Sequence, residues 1–454
     1  MRLLLLTPEF DWQAGGIATF YRELAPALRA QGVELHVVEG SAVHTGADRN
    51  ARLWCEGICI ETLELARYQR WHARFPALDA APGLRAHLAA AWAMWEQAGF
   101  GESCDVVEAC DWGLLFVPPV VEAVRPLVVQ CHGSVGQLTV HDPIAGEETE
   151  AALIRLIERA ALAAAGSVQT YSPANAAFWC SETGRDVKML RPAVSQRPPL
   201  PSIEPSDRGI VVGRMQRWKG PEILCSALQR LGTRAPGVDW IGRDMAWGAR
   251  ENSTAVHLGR AFPSVWGRRI THCPQQTPQE ITRRQAAALF NLVPSTWDVF
   301  NFTAVEAMAS GRPTIISTGA GASELIEDGV NGYLFASGEA NALAAAIDRL
   351  LGESPARLTA IGQAARVTVA TILDPNTIAG QRVAAYRAVI DAFRSHPPSP
   401  ATGWFGDICR STEPLPGNEM AFLGNHPLRA IAAHVLARGR RKVTARMSHW
   451  VFSR

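Results

Sequence analysis

The chain has 454 residues, of which 47% are apolar and 19% charged, and its formal net charge is +1. That length is too great for one core and fits two domains with an addition. The balance is that of an ordinary folded protein, and a charge near zero excludes a molecule that binds nucleic acid through its overall field.

The nine cysteines are odd in number and include no CxxC pair; Cys55 and Cys59 form only a CxxxC. This pattern reads as reduced thiols in a cytoplasmic protein rather than a disulfide framework or a zinc site. The twelve histidines show no HExxH spacing. Met1–Leu6 is too short for a signal peptide and runs at once into Pro8-Glu9-Phe10-Asp11, so it reads as a buried first strand. No stretch approaches the roughly 18 uninterrupted apolar residues of a membrane span.

Short apolar runs alternate with helical patterns, the signature of βα units and parallel sheets. In the first half, strands are predicted at Leu3–Leu6, Val33–Val38, Val106–Ala109, Leu127–Gln130 and Ser167–Thr170. A helix with Phe20, Leu24 and Leu28 on one face precedes Gly32, with Pro26 expected to kink it. The polar, proline-rich stretch Arg197–Asp207 marks an interdomain linker. The alternation then restarts, with strands at Gly209–Val212, Val238–Ile241, Leu289–Val293 and Thr314–Ser317. Helices are predicted at Pro221–Leu231, Thr303–Ala309 and Ala340–Leu351, and a helix near Ile378–Phe393 is expected to close this second unit. The expected organisation is therefore 1–200, 201–377, a closing helix at 378–394, and a linker with a basic helical extension at 395–454. The fold class is α/β, with two Rossmann-like doubly wound domains.

Ligands of open α/β sheets bind beyond the carboxyl ends of the strands, and four segments lie there. Gly15-Gly16-Ile17-Ala18-Thr19 opens the first helix: its glycines admit close backbone approach and the helix N-terminus favours an anion, or else it is a tight structural turn. Cys131-His132-Gly133-Ser134 follows the fourth strand, and His132 either orients a reacting group or is a satisfied structural histidine. In Gly213–Pro221, Arg214 and Lys219 flank a helix whose first position is Pro221. Two cations beside free N–H groups make a diphosphate clamp without a metal; the alternative is a solvated basic loop.

The fourth segment is Pro294–Pro313. Asp298 in its loop and Glu306 on its helix are eight residues apart, a pair suited to the vicinal hydroxyls of a sugar or ribose. The N–H groups of Asn301, Phe302 and Thr303 stand free for a phosphate. Against this, Thr303-x-x-Glu306 fits a capping box, which would make Glu306 structural, and Asp298 fits a turn.

With these segments in this order, the chain resembles the family 4 glycosyltransferases of the two-Rossmann-domain (GT-B) class over roughly residues 1–393. Pro294–Leu334 carries the most specific part. It is similar to the family's Ser-x-x-Glu-x-Phe-Gly…Glu-Ala-Met-Ala-x-Gly-x-Pro, followed by Ala320-Gly321-Ala322-Ser323-Glu324 and Asp328-Gly329-Val330-Asn331-Gly332.

The resemblance implies two domains facing each other across a cleft, an acceptor-side first domain and a nucleotide-sugar-binding second domain. It implies a retaining, hexosyltransferase-like enzyme that moves a sugar from a nucleotide-diphosphate sugar to an unidentified acceptor, in glycan, cell envelope polysaccharide or glycolipid synthesis. The nucleotide sugar is then a co-substrate, with no cofactor and no metal, since no Asp-x-Asp occurs. Gly15 and Gly16 would lie beside the donor diphosphate and His132 near the transferred sugar. Arg214 and Lys219 would hold the diphosphate, Asp298 the sugar hydroxyls, and Glu306 the ribose. The sequence departs from the family where Asp298 replaces glutamate, Asn301 replaces glycine, and Ala320 stands where glycine is usual. A non-catalytic nucleotide-sugar or carbohydrate binder on the same scaffold is the alternative. From His426 onward the chain holds seven Lys or Arg and no acidic residue, in an amphipathic pattern that either touches the inner face of a membrane or packs on the body of the enzyme or forms a solvated tail.

Overall fold

The computed structural model describes residues 1–10, 15–45, 53–55, 57–143, 147–196, 204–247, 253–398 and 428–451. The expected linker therefore falls largely outside the described residues, at 197–203, and so does most of the stretch between 395 and 427.

The first domain carries strands β1 (Arg2–Thr7), β2 (Glu34–Glu39), β3 (Leu53–Cys55), β4 (Ile58–Thr62), β5 (Val106–Cys110), β6 (Leu127–Gln130), β7 (Ser167–Thr170) and β8 (Lys188–Met189). They form one sheet in the order β3-β4-β2-β1-β5-β6-β7-β8. All pairs are parallel except the edge strand β3, which runs antiparallel to β4. Its helices are α1 (Gly16–Ala30), α2 (Leu65–Ala73), α3 (Pro82–Gln97), α4 (Val117–Glu122), α5 (Val135–His141), α6 (Glu148–Ala164) and α7 (Pro173–Thr183).

β1 shows why the sheet is covered on both faces. Leu3 and Leu5 point into the core beneath α1, while Leu4 and Leu6 point into a second core built by α3 and α4. A strand buried on both sides reads as an unbroken apolar run, which is what the sequence shows. The helix predicted before Gly32 is α1, and it runs on through Pro26 to Ala30.

The second domain carries β9 (Gly209–Val212), β10 (Val238–Ile241), β11 (Ile270–Cys273), β12 (Asn291–Val293), β13 (Thr314–Ser317) and β14 (Tyr333–Phe335), parallel throughout, in the order β11-β10-β9-β12-β13-β14. Its helices are α8 (Pro221–Leu231), α9 (Thr254–Ala261), α10 (Pro278–Ala287), α11 (Phe302–Ala309), α12 (Ala340–Leu351) and α13 (Pro355–Ile372). Leu224, Leu228 and Leu231 form the buried stripe of α8, as their spacing predicts.

α14 (Pro375–Ser395) corrects the expectation that the helix near 378–394 closes the second unit. It crosses back and packs on the first domain, along α1. Arg382, fully buried, donates to Gln130 Oε1 at 2.8 Å and lies 3.4 Å from Glu108 Oε2; the Tyr386 hydroxyl donates to the same Glu108 oxygen at 2.6 Å. Both acceptors belong to central strands of the first sheet, so a polar network fixes where the helix lands. The final helix, α15 (Leu428–Val451), covers the basic extension.

Candidate active site between the two domains

The site grows from strand ends of both sheets. After β1, Gly15 stands at the N-cap of α1 without a side-chain cap of its own. Glu9 supplies the acceptor: its Oε1 takes the Ala18 N–H at 3.3 Å. A Cβ on Gly15 would overlap that carboxylate in its present position. The Glu9 carboxylate thus lies at this helix N-terminus, where the dipole favours negative charge. Burial raises the Glu9 pKa, while the Ala18 N–H and the Arg214 charge pull it back. Gly16, exposed, faces the second domain; a Cβ on it would meet the Phe302 ring at 3.7 Å. The only sequence signal for Glu9 is an acidic residue upstream of a glycine pair at a helix start.

His132 follows β6. Both ring nitrogens are engaged: Nδ1 with the Tyr171 hydroxyl at 2.9 Å and Nε2 with the Tyr21 hydroxyl at 3.1 Å. Phe20 packs edge-on at 4.8 Å between centroids. Burial, with Arg382 nearby, holds the imidazole pKa well below its ordinary value. The ring is thus held between two tyrosine hydroxyls, one on each nitrogen. Its backbone N–H and that of Gly133 both donate to Asp111, at 2.9 and 3.2 Å. Burial raises the Asp111 pKa to about 7.

On the facing side, Gly220 has φ +75° and passes so close to the Pro294 carbonyl that no Cβ fits. That turn delivers Lys219 toward the Pro294–Pro313 loop. Lys219 Nζ lies 2.5 Å from Asp298 Oδ2 and 4.0 Å from the Trp218 ring centroid. Asp298 is anchored by its backbone, donating to the Gly319 carbonyl at 2.9 Å and accepting from the Gly321 N–H at 3.0 Å.

Asn301 sits at φ +81°, the left-handed region where asparagine substitutes for glycine at least cost. Its Nδ2 donates to Asp298 Oδ2 at 2.9 Å and to Ser295 Oγ at 3.3 Å. Its Oδ1 accepts the Ala304 N–H at 3.0 Å and the Thr303 hydroxyl at 2.6 Å. Asn301 is therefore the N-cap of α11. The capping box built on Thr303 and Glu306 is not formed, because Thr303 lies inside the first turn and turns its hydroxyl to Asn301 and the Val212 carbonyl. Glu306, half-buried, stands on α11 one turn beyond Phe302. Phe302 and Thr303 open the helix, where N–H groups have no preceding turn to bond.

Arg214 is open to solvent yet flanked by protein on both sides, which lowers its pKa; the charges it faces are Glu9 and Asp142 of the first domain and Arg243 and Asp298 of the second. The structure thus joins Lys219, Asp298, Asn301 and Thr303 in one network, sets Arg214 within reach of its charge, and brings Gly16 to Phe302. His132 stays behind them, among tyrosines. Two further residues were not anticipated. Trp297 stacks on His141 of the first domain at 4.1 Å and 8° between planes, and Gly133 has φ +108°, with Val299 lying 3.1 Å from where its Cβ would stand.

Two Rossmann-like domains meeting across their strand ends define the GT-B class of fold. Within it, residues 207–353 match the family model described as Glycosyl transferases group 1, and this match and the fold make the chain similar to family 4 GT-B glycosyltransferases. The D-inositol 3-phosphate glycosyltransferase of Segniliparus rotundus is 32% identical over 215 residues, 46% of each chain. That of Nocardia farcinica is 27% identical over 246 residues, 52% of this chain and 54% of its own. The chain spans about half the length of these curated relatives. Among solved structures, sucrose-phosphate synthase from Thermosynechococcus elongatus superposes with a TM-score of 0.68 at 20% identity, covering 86% of this chain and all of that one. Anabaena HepE in complex with UDP-glucose does so with a TM-score of 0.61 at 20% identity, over 86% and 100%.

Proposed function

We propose that the protein is a retaining glycosyltransferase that moves a sugar from a nucleotide-diphosphate sugar to a hydroxyl acceptor. The observation that carries this is the convergence of Lys219, Asp298 and Asn301 at the open end of α11, with Arg214 beside them and the Gly16 loop opposite. The HepE complex with UDP-glucose and the inositol-phosphate relatives support a nucleotide-sugar donor.

As the bond from the anomeric carbon to the diphosphate breaks, its electron pair stays on the leaving oxygen. Arg214, Lys219 and the first N–H groups of α11 stabilise that charge without a metal. Donor binding draws Lys219 from Asp298 toward phosphate and leaves the Asp298 carboxylate to the sugar hydroxyls. Glu306 accepts from the ribose. His132 keeps the Gly133 loop in place and carries no proton. Closure of the two domains excludes water from the reacting bond.

The test is a thermal-shift screen against nucleotide sugars, followed by transfer and donor-hydrolysis assays with and without a chelator. A donor at a hundred times its Kd adds about 2.7 kcal/mol of stability. Lys219→Ala is expected to abolish transfer with the fold intact. Normal turnover of that variant at saturating donor sinks the clamp, and rescue of chelator-treated enzyme only by magnesium or manganese sinks the metal-free mechanism. Donor binding with neither transfer nor hydrolysis favours the non-catalytic binder.

A further inference from the structure

The cleft makes no use of a cluster on the far strands of the first sheet. β2 and β4 are parallel neighbours, and their register sets His36 opposite Cys59. Glu61, two residues beyond Cys59, projects on the same face. His36 Nε2 lies 3.0 Å from Glu61 Oε1, and the ligating atoms of His36, Cys59 and Glu61 all fall within 4.8 Å of one another. Cys59 is buried and not disulfide-bonded, while the His36 and Glu61 side chains keep 24% and 15% of their surface exposed.

We propose that His36, Cys59 and Glu61 bind one zinc-class transition-metal ion, with water in the fourth position. An imidazole, a thiolate and a carboxylate suit a borderline-soft ion and disfavour calcium or magnesium. Bonds of about 2.0–2.3 Å place tetrahedral ligands roughly 3.3–3.8 Å apart, so rotation of the longer His36 and Glu61 side chains closes the set. Thiolate and carboxylate together neutralise a divalent charge, which a half-buried position requires. The ladder hydrogen bonds between β2 and β4 hold the donors in register before any ion arrives. Binding releases the Cys59 proton and pins β4, with the antiparallel edge strand β3 beyond it, to the body of the sheet. His36, Cys59 and Glu61 sit on β2 and β4, apart from the residues of the cleft, so the ion is assigned no part in transfer. Ligands paired across a strand register leave no fixed spacing in the sequence, so no metal motif marks them there.

The test uses the full chain, stripped with a chelator and titrated with cobalt(II), then zinc(II) in competition. One equivalent of cobalt is expected, with thiolate-to-metal charge transfer and tetrahedral ligand-field bands. Cys59→Ser is expected to lose the charge-transfer band, and His36→Asn and Glu61→Gln to weaken binding by an order of magnitude. Zinc is expected to raise the melting temperature of the wild type and not of Cys59→Ser. Where a variant fails to fold, zinc protection of Cys59 from alkylation in the wild type, read by mass spectrometry, replaces it. A cobalt complex without the thiolate band, stoichiometry unchanged in Cys59→Ser and His36→Asn, or an unprotected Cys59 overturns the site.

Discussion

Asp298 is one methylene shorter than the glutamate of the family pattern, and the residue that differs three positions later is the one that holds it. Asn301 bonds the Asp298 carboxylate through Nδ2 and caps α11 through Oδ1, two side-chain contacts that glycine does not make. The two departures are thus one device, in which a shorter carboxylate is steadied by an added amide. Substitution separates these tasks. Glycine takes φ +81° without strain and loses only a few tenths of a kcal/mol as a cap, so Asn301→Gly is expected to melt near the wild type while its donor KM rises. Asn301→Ala loses the cap, about 1 kcal/mol, and strains a left-handed backbone by another 1–2 kcal/mol, so it is expected to melt several degrees lower. Melting curves and donor KM measured on both variants decide this; equal KM in all three proteins removes Asn301 from the donor site. The departure was legible in the sequence, and so was the left-handed tolerance of asparagine. The satisfaction of His132 was not, because its partners Tyr21 and Tyr171 lie 111 and 39 residues away in the chain. The role of Glu9 was not legible either, because its target N–H lies nine residues on, inside the first turn of a helix.

At the scale of elements, the strands that reveal themselves are those buried on both faces, such as Leu127–Gln130 and Val238–Ile241, whose bounds match the prediction. β4 and β11 escaped because polar residues break them, as in Ile58-Cys59-Ile60-Glu61-Thr62 and Ile270-Thr271-His272-Cys273. β3, β8 and β14, with three residues or fewer, carry too little pattern. The amphipathic face of α14 announces a helix without saying which sheet it covers; Arg382 and Tyr386 decide that, through acceptors more than 250 residues away. The contact between α5 and α6 makes a measurable prediction. Glu158 of α6 is fully buried and accepts the Ser134 hydroxyl at 2.7 Å and the Gly136 N–H at 2.9 Å, and burial raises its pKa from an ordinary 4.5 to about 8. The folded protein therefore keeps a proton that the unfolded chain releases at ordinary carboxylate pH. Stability from this group is full below about pH 4.5 and declines as pH rises toward 8, each separated unit corresponding to roughly 1.4 kcal/mol. Asp111, raised to about 7, acts in the same direction. Glu158→Gln still accepts the Gly136 N–H through its oxygen and can donate from its amide to the Ser134 oxygen, with no titrating proton, so its melting temperature is expected to fall less steeply than the wild type's between about pH 5 and pH 8. Parallel slopes refute the assignment.

At the scale of the whole molecule, the two domains share a core where they meet. Phe20 and Tyr171 of the first pack with Phe300 and Phe302 of the second in one continuous cluster, and Arg191 reaches Glu324 across the junction at 3.2 Å. α15 is a different case. No helix among the described residues is long and apolar enough to cross a membrane, yet this one presents apolar and basic side chains together. Leu428, Val435 and Leu436 are exposed at 83%, 58% and 63%, which leaves an apolar strip uncovered on its first half. Arg429, Arg438, Arg440, Arg441, Lys442, Arg446 and Arg454 give the segment from His426 seven positive charges with no acidic residue to offset them. Apolar residues that lose nothing by leaving the protein, beside uncompensated cations, fit an anionic lipid surface, where each basic residue contributes about 1 kcal/mol at moderate salt. We therefore predict that the full chain co-sediments with vesicles containing anionic lipid and not with neutral ones. A chain ending at Ser395 retains all of α14 and its network with the first sheet, so it is expected to fold and to stay in the supernatant. Raised salt weakens the binding, since a Debye length of about 8 Å at physiological ionic strength shrinks further. If both chains remain in the supernatant with anionic vesicles at low salt, the extension does not bind membrane, and its exposed strip belongs to a protein partner.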